Sequence, residues 1–255
     1  MKIKIFETAE QLNQYAAYFV LQQINIKPNL KMGMATGRTP IGLYEELIKQ
    51  HQSGVVSFKQ VSMYNLDEYI GLPKEHNQSF YSFMQKNLYN SIDVKENNLH
   101  IPNGNAVNMD DEVSRYDQLL NQVGQLDLQI LGIGTNGHIG FNEPDQHLIG
   151  GTHVVELTNE TKQANSKDFE KVEDVPSYAI TMGVRDIMRS KKILFIALGK
   201  DKAEIVKEAF QGNISTWCPG SFLQLHPNIM VLLDKEASSL LDTKEISLLE
   251  KSVIY

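Results

Sequence analysis

The chain has 255 residues, enough to bury a sizeable core as one large α/β domain or two small ones. Its 24 lysines and arginines against 31 aspartates and glutamates give a formal charge of −7, which argues against nucleic acid or a membrane surface as the main partner. The single cysteine excludes an internal disulfide, and no segment approaches the roughly 18 apolar residues of a membrane span or a signal peptide's apolar stretch, so we expect a cytoplasmic protein.

Strand, turn and helix patterns alternate along the chain. Short apolar runs predict buried strands at 31–35, 61–65, 126–133, 193–198 and 228–234. Apolar residues at helical spacing predict helices at 41–50, 79–90, 109–123 and 201–210. We therefore predict an α/β fold: an open, mostly parallel Rossmann-like sheet with helices on both faces. No long polar linker interrupts the chain, which favours a single domain over residues 1–255.

The turns after four of these strands begin at Thr36, Asn65, Gly132 and Gly199, and each turn carries polar side chains. Right-handed crossovers place the C-terminal ends of parallel strands on one edge of the sheet, where ligands bind in such folds. We expect the four turns to lie along one rim.

The first of these turns predicts a binding site for a small phosphate. Backbone N–H groups around Gly37, the hydroxyls of Thr36 and Thr39, and the start of a helix together suit an anion. The turn is neither a P-loop nor a dinucleotide fingerprint, so a nucleotide is disfavoured. The alternative is that Thr39 only caps the helix, with Pro40 at its first position.

An adjacent Asp67-Glu68 pair directly follows the second strand. One carboxylate of such a pair can point into a cleft and act as a general base. The alternative is that Asp67 caps a short helix and Glu68 is solvated.

Residues 131–144, LGIGTNGHIGFNEP, carry the strongest chemical signal. Four glycines let the backbone turn tightly just past a strand, and the same turn presents Asn136, His138 and Glu143. An α/β enzyme places acid/base groups at this position. The alternative is a glycine turn with a surface histidine.

Lys167 and Lys202 are further candidates for contact with an anion. Lys202 lies at a predicted helix N-terminus, where a cation is unfavourable unless an anion binds, although both lysines could simply be solvated. The other histidines lack metal-ligand spacing, and Cys218 beside Trp217 is typical of packing, so we predict neither a metal nor a covalent nucleophile.

Several segments resemble the glucosamine-6-phosphate deaminase family, also called the glucosamine/galactosamine-6-phosphate isomerase family. They are 65–73 (NLDEYIGLP), 79–84 (SFYSFM), 131–144 and 223–227 (LQLHP), and the similarity runs from about residue 33 to 234. The related 6-phosphogluconolactonases share the fold and the glycine-rich start of the third segment. They usually continue with SLFP where this chain has FNEP.

The resemblance implies conversion of glucosamine 6-phosphate and water to fructose 6-phosphate and ammonia, in N-acetylglucosamine catabolism. It assigns ring opening to His138, oriented by Glu143 and Asn136, and transfer of the C2 proton to C1 to Asp67. A group that titrates near neutrality suits the first task, and one positioned carboxylate suits the second. Water hydrolyses the resulting 2-iminium, so no cofactor is implied.

The resemblance also implies a substrate-phosphate site. Its residues are Thr36, Gly37, Thr39, Lys167 and Lys202.

Two positions depart from the allosteric members of the family. Those members have aspartate where this chain has Asn136, which stabilises an imidazolium less, so we expect an active protein with a different pH optimum. They also have basic residues in the segment that corresponds to 152–155, where Val155 carries no charge. We expect weak or no activation by N-acetylglucosamine 6-phosphate, and a monomer, with a homo-oligomer as the alternative.

Three rival functions remain at this point. A deaminase for galactosamine 6-phosphate would need similar residues, because the motifs do not report C4 stereochemistry. A 6-phosphogluconolactonase is disfavoured by Asn142 and Glu143. A sugar-phosphate sensor of a transcription regulator should bring a helix-turn-helix domain and a basic patch, for which this chain has no room and no sign.

Overall fold

The computed structural model describes residues 1–242, apart from the side chain of residue 168, and within them the chain forms ten strands and seven α-helices. The strands are β1 (Lys2–Phe6), β2 (Lys31–Met34), β3 (Ser62–Asn65), β4 (Asp67–Tyr69), β5 (Leu99–His100), β6 (Leu128–Leu131), β7 (His153–Glu156), β8 (Tyr178–Thr181), β9 (Ile193–Ala197) and β10 (Ile229–Asp234). The helices are α1 (Ala9–Ile26), α2 (Ile41–Gln52), α3 (Phe80–Asn87), α4 (Met109–Val123), α5 (Asn159–Asn165), α6 (Val184–Met188) and α7 (Ala203–Gln211).

Seven strands form one parallel sheet in the order β1-β10-β9-β6-β2-β3-β5. Every residue of β6 and β9 is buried, as expected of parallel strands that are covered on both faces. The helices pack around this sheet. The predicted Rossmann-like α/β fold is confirmed.

The strand order reverses at the centre of the sheet. From β2 the chain adds β3 and β5 on one side, and then returns to the other side of β2 for β6, β9 and β10. The connections that leave β2 and β6 therefore diverge, and a crevice opens between the C-terminal ends of these two strands. Ligands bind at this point in open α/β sheets.

Two buried tyrosines fix the strand ends beside the crevice. The Tyr44 hydroxyl donates to the backbone oxygen of Ala35 at 2.5 Å, just after β2. The Tyr116 hydroxyl donates to the backbone oxygen of Asn65 at 2.6 Å, at the end of β3. Because both hydroxyls are buried, losing either acceptor would cost the desolvation of the hydroxyl. These contacts hold in place the turns that follow the two strands.

A second, antiparallel sheet was not predicted. Its order is β4-β8-β7, and it carries Asp67 opposite Thr181. The alternative in which Asp67 caps a short helix and Glu68 is solvated is therefore wrong: both residues lie in β4 and are buried.

Other differences concern the ends of elements. Neither β1 nor α1 was predicted from the sequence. The helix predicted at 79–90 stops at Asn87, and a 3₁₀ turn follows at Tyr89–Ser91. The helix predicted at 201–210 begins at Ala203, after a 3₁₀ turn at Lys200–Lys202.

None of the described helices is long and apolar enough to cross a membrane. A single domain over residues 1–255 stays a prediction, because it extends past the described residues.

Candidate active site

A cleft of about 510 Å³ opens at the reversal of strand order. The turns after β2, β3, β6 and β9 all contribute to its walls, as does the segment that follows α5. Seven of the nine site residues predicted from the sequence line it, namely Thr36, Gly37, Thr39, Asp67, His138, Lys167 and Lys202. The other two, Asn136 and Glu143, contact each other next to His138.

Asp67 is a buried carboxylate in the wall of the cleft. Burial raises its pKa to about 8, and the negative charge of Glu68 adds to the effect. No hydrogen bond to its side chain occurs among the described residues. The turn after β6 passes directly over it: Gly140 has a φ of +59°, and a Cβ there would lie 3.6 Å from Asp67 Oδ2 and 3.1 Å from Thr181 Oγ1. Glycine is the residue that adopts this conformation without strain.

Glu68 points away from Asp67 and caps α3. Its carboxylate accepts the backbone N–H groups of Tyr69 and Phe80 at 2.8 Å and of Tyr81 at 2.9 Å. Burial raises the pKa of Glu68 to about 7, and these three hydrogen bonds act against that rise. Such donors at a helix N-terminus stabilise a carboxylate. Glu68 thus joins β4 to α3, whose first residue, Phe80, lines the cleft.

His138 is held by a carboxylate behind it. Its Nδ1 lies 3.4 Å from Glu143 Oε2, and Asn136 Nδ2 donates to the same oxygen at 2.7 Å. Burial alone would raise the pKa of Glu143, but hydrogen bonds from His138, Thr161 and Asn136 outweigh it and lower the pKa. Asn136 Oδ1 also accepts the backbone N–H of His138 at 3.2 Å. Asn136 therefore acts on the ring through Glu143 and the backbone.

A glycine leaves room for the imidazole. A Cβ on Gly134 would collide with the ring atoms of His138. The ring therefore lies against the backbone of its own turn, with Nδ1 toward Glu143.

Part of the lining of the cleft is cationic. Arg38, Lys167 and Lys202 line it, and none of their side chains makes an ion pair or a hydrogen bond within the part of the chain that the structure describes. Burial and the nearby charge of Arg38 lower the pKa of Lys202, whereas Asp201 raises it. Unpaired cations that crowd together in a protein of net charge −7 indicate a site for an anion.

The turn that contains Thr36, Gly37 and Thr39 does not use its threonines as helix caps. Pro40 is the N-cap of α2, and no side chain makes a cap hydrogen bond there. The alternative in which Thr39 only caps the helix, with Pro40 at its first position, is therefore wrong. The backbone of Pro40, with φ −80° and ψ −5°, is already helical. Thr39 lines the cleft instead.

Sequence reasoning missed Arg38 and an aromatic wall. The only sequence feature that pointed to Arg38 was its position in the turn at 36–40, TGRTP. The wall consists of Tyr69, Phe80 and Phe141, with the rings of Phe80 and Phe141 stacked at 5.8 Å. These aromatic residues come from β4, α3 and the turn after β6, so only the folded chain brings them together.

The cleft therefore combines proton-transfer groups with an anion site. Asp67 and the imidazole of His138 can move protons, and three cations that line the same cleft can hold an anion. Within the described residues, no three histidine, cysteine, aspartate or glutamate side chains are grouped so as to hold a metal ion.

Comparison with known proteins extends these observations. The family described as glucosamine-6-phosphate isomerases/6-phosphogluconolactonase matches residues 6–231. Glucosamine-6-phosphate deaminase of Thermoanaerobacter pseudethanolicus (strain ATCC 33223 / 39E) is 47% identical over 252 residues, which cover 98% of this chain and 100% of that protein. Glucosamine-6-phosphate deaminase 1 of Bacillus subtilis (strain 168) is 45% identical over 240 residues, 94% of this chain and 99% of that protein.

Solved structures agree with the sequence matches. The structure of a monomeric glucosamine-6-phosphate deaminase is similar with a TM-score of 0.92 and 44% identity, over 94% of this chain and 100% of that one. The 6-phosphogluconolactonase from Trypanosoma brucei has a TM-score of 0.73 at 18% identity, over 94% of this chain and 98% of that one, which shows a shared fold. This chain belongs to the glucosamine-6-phosphate isomerase/6-phosphogluconolactonase family of enzymes.

Proposed function

We propose that this enzyme converts D-glucosamine 6-phosphate and water to D-fructose 6-phosphate and ammonia. Relatives of 45% and 47% identity, matched over nearly their whole length, carry the name glucosamine-6-phosphate deaminase. The observation that carries the proposal is that one cleft is lined both by cations and by the proton-transfer groups Asp67 and His138. Such a cleft suits a substrate with a phosphate at C6 and an ammonium group at C2.

The phosphate binds at the cationic end. The turn that contains Thr36, Gly37 and Thr39 offers hydroxyl and N–H donors, and Lys167 and Lys202 supply charge. Arg38 adds a third cation. Binding the phosphate there leaves the other end of the sugar to reach the proton-transfer groups.

Ring opening is the task of His138. With Nδ1 directed at Glu143, Nε2 is left to take the proton of the O1 hydroxyl and deliver it to the ring oxygen. The ionised Glu143 stabilises the imidazolium that forms between the two transfers. The product is the open-chain aldehyde, whose C2 proton is now acidic.

Asp67 then moves that proton. In the empty cleft its raised pKa favours the neutral acid, but the substrate ammonium beside it favours the carboxylate. Asp67 takes the C2 proton while the substrate ammonium gives one of its own protons to O1, through His138, and the enolamine that forms takes the Asp67 proton at C1 to become the 2-iminium. Water adds to C2 of the 2-iminium and ammonia leaves, giving fructose 6-phosphate.

The substrate also suggests a place for the reaction. Glucosamine 6-phosphate is an amino-sugar phosphate, so we infer a role in N-acetylglucosamine degradation. A phosphorylated sugar does not cross membranes readily because of its charge, and this favours action in the cytoplasm.

The first test is product formation. The purified protein, with no metal added, should release ammonia and fructose 6-phosphate from glucosamine 6-phosphate in equal amounts. If the protein turns over galactosamine 6-phosphate but not glucosamine 6-phosphate, the proposed chemistry holds and the proposed substrate is wrong. No turnover of either sugar between about pH 6 and 9 would contradict the proposal.

The Asp67→Asn variant should lose turnover and still bind inorganic phosphate. A loss of folding would not explain the result, because the substitution should stabilise the protein at alkaline pH. Between the unfolded pKa of about 3.9 and the folded pKa of about 8, the folded state holds a proton that the unfolded state lacks, so this carboxylate lowers stability as the pH rises. The variant should therefore melt above the parent at pH 8, with a smaller difference at pH 5.

Arg38→Ser tests the cationic end. We expect KM for glucosamine 6-phosphate to rise by about three- to tenfold with kcat unchanged, because an interaction with phosphate is the same in ground and transition states. Inhibition by inorganic phosphate should weaken by the same factor. Lys200→Ser is the matched control, since Lys200 is exposed, belongs to the 3₁₀ turn that also carries Lys202, and does not line the cleft. Equal effects of the two variants would argue against an Arg38 contact.

Asn136→Asp tests the support of His138. An added carboxylate favours the imidazolium, and the variant also loses the N–H₂ donor to Glu143. Activity should persist, with the acidic limb of kcat/KM moved to higher pH. Asn98→Asp, outside the cleft, should leave the profile unchanged. A profile that is also unchanged in Asn136→Asp would count against this role.

We further infer that the protein is a monomer without strong allosteric activation. The solved relative at 44% identity is described as monomeric, and Val154 and Val155 of β7 carry no charge for an anionic effector. Light scattering should give the mass of one chain. The rate should follow a hyperbola that N-acetylglucosamine 6-phosphate does not alter, and a steeper or shifted curve would refute the inference.

A further inference from the structure

One short segment connects the two ends of the cleft. Thr158 caps α5, and the 3₁₀ turn at Ser166–Asp168 follows directly. Lys167 of this turn lines the cleft at its cationic end. Near the start of the same segment, Thr161 points inward and is 2% exposed.

The Thr161 hydroxyl lies against the His138–Glu143 pair. Its Oγ1 is 3.4 Å from His138 Nδ1, and the hydroxyl is near enough to Glu143 to help lower the pKa of that carboxyl. On its other side, Thr158 Oγ1 donates to Thr161 Oγ1 at 3.1 Å. Asn136 Nδ2, which donates to Glu143, also lies 3.5 Å from Thr158 Oγ1.

Thr158 Oγ1 also accepts the backbone N–H of Thr161 at 3.2 Å, so its own proton is available for Thr161 Oγ1. Thr161 accepts the proton of Thr158, so its own single proton is free to go to Glu143 or to His138 Nδ1. An ionised carboxylate is the stronger acceptor. With the Thr161 proton on Glu143, Nδ1 keeps its own proton and Nε2 stays open. If the Thr161 hydroxyl donated to His138 Nδ1 instead, Nδ1 would carry no proton and the proton of the neutral ring would be on Nε2. Nε2 could then not accept the proton of O1.

We propose that Thr161 is a positioning residue, which holds Glu143 so that His138 presents an open Nε2, and which anchors the segment carrying Lys167 to the same pair. The proposal rests on the function proposed above. It extends that function by making one helix responsible for both the phosphate end and the proton-transfer end. A threonine that merely fills the core would affect stability and leave the chemistry unchanged.

Other titratable groups surround this pair and must be considered in any pH profile. Asp67 lies across Gly140, and Glu160 accepts from Thr135 at 3.2 Å. Cys218 lies under Gly137, and Lys167 and Lys202 line the cleft. A substitution that changes only the Thr161 hydroxyl leaves all of these in place.

The test compares Thr161→Val with Thr161→Ser. The valine variant removes the hydroxyl at nearly constant shape, and we expect kcat to fall about tenfold. The acidic limb of kcat/KM should move up by about half a pH unit to one unit, because a carboxylate with one donor fewer holds the histidine proton more strongly. Thr161→Ser restores the hydroxyl and should return both quantities toward those of the parent.

Thr152→Val is the matched control. Thr152 is also buried, but its hydroxyl has no partner among the described residues and does not line the cleft. Its removal should leave kcat and the pH profile unchanged. A Thr161→Val enzyme that keeps the parental profile, or that loses rate without a shift of the acidic limb, would overturn the proposal.

Two further measurements keep the test decisive. A parent enzyme without turnover of glucosamine 6-phosphate would contradict the proposed function itself, and full turnover by His138→Asn would contradict the role of His138. An inactive His138→Asn beside a normal Thr161→Val overturns only the role of Thr161. Should Thr161→Val not fold, ¹⁵N NMR of the histidines in the parent reports the tautomer of His138, assigned by its absence in His138→Asn. A neutral ring protonated on Nδ1 supports the proposal, and one protonated on Nε2 overturns it.

Discussion

The reversal of strand order between β2 and β6 is the constraint on which the site depends. The connections that follow these two adjacent parallel strands leave in opposite directions. The turns after the strands therefore lie apart and leave a crevice between them. One of these turns carries Thr36 and Thr39, which line the cleft, and the other carries His138. The spacing of the two strands therefore sets the distance between Thr36 and His138. No movement of a domain is needed to bring these residues into one cleft.

Three buried carboxylates near the cleft are compensated in different ways, and this sets their chemistry. Glu68 receives three backbone N–H groups and serves the structure. Glu143 receives side-chain donors that keep it ionised, so it supports an imidazolium. Asp67 is buried with no hydrogen-bond donor to its side chain among the described residues, and its pKa rises to about 8. Because a buried carboxylate without a partner favours the proton, Asp67 is the one suited to carry a proton between two carbons.

The sequence predicted those features that depend on local patterns. Runs such as 193–198 are apolar enough to identify a parallel strand, and the glycine turn at 131–144 identified His138 and Glu143. The antiparallel sheet was not predictable in this way, because Asp67-Glu68-Tyr69 is short, begins with two acids and becomes a strand only by pairing with β8. Thr161 gave no signal either, since the segment that carries it has the pattern of an ordinary capped helix. Its contact with His138 joins residues 23 positions apart and exists only in the folded chain.

The central claim is that one cleft binds the phosphate of an amino sugar at one end and its C2 at the other. A crystal structure with 2-amino-2-deoxyglucitol 6-phosphate, which cannot close to a ring, tests it most directly. The account predicts the phosphate on the turn of Thr36 and Thr39 beside Lys202, with C2 and its ammonium group next to Asp67. A phosphate bound elsewhere, or a C2 that lies out of reach of the Asp67 carboxylate, would contradict it.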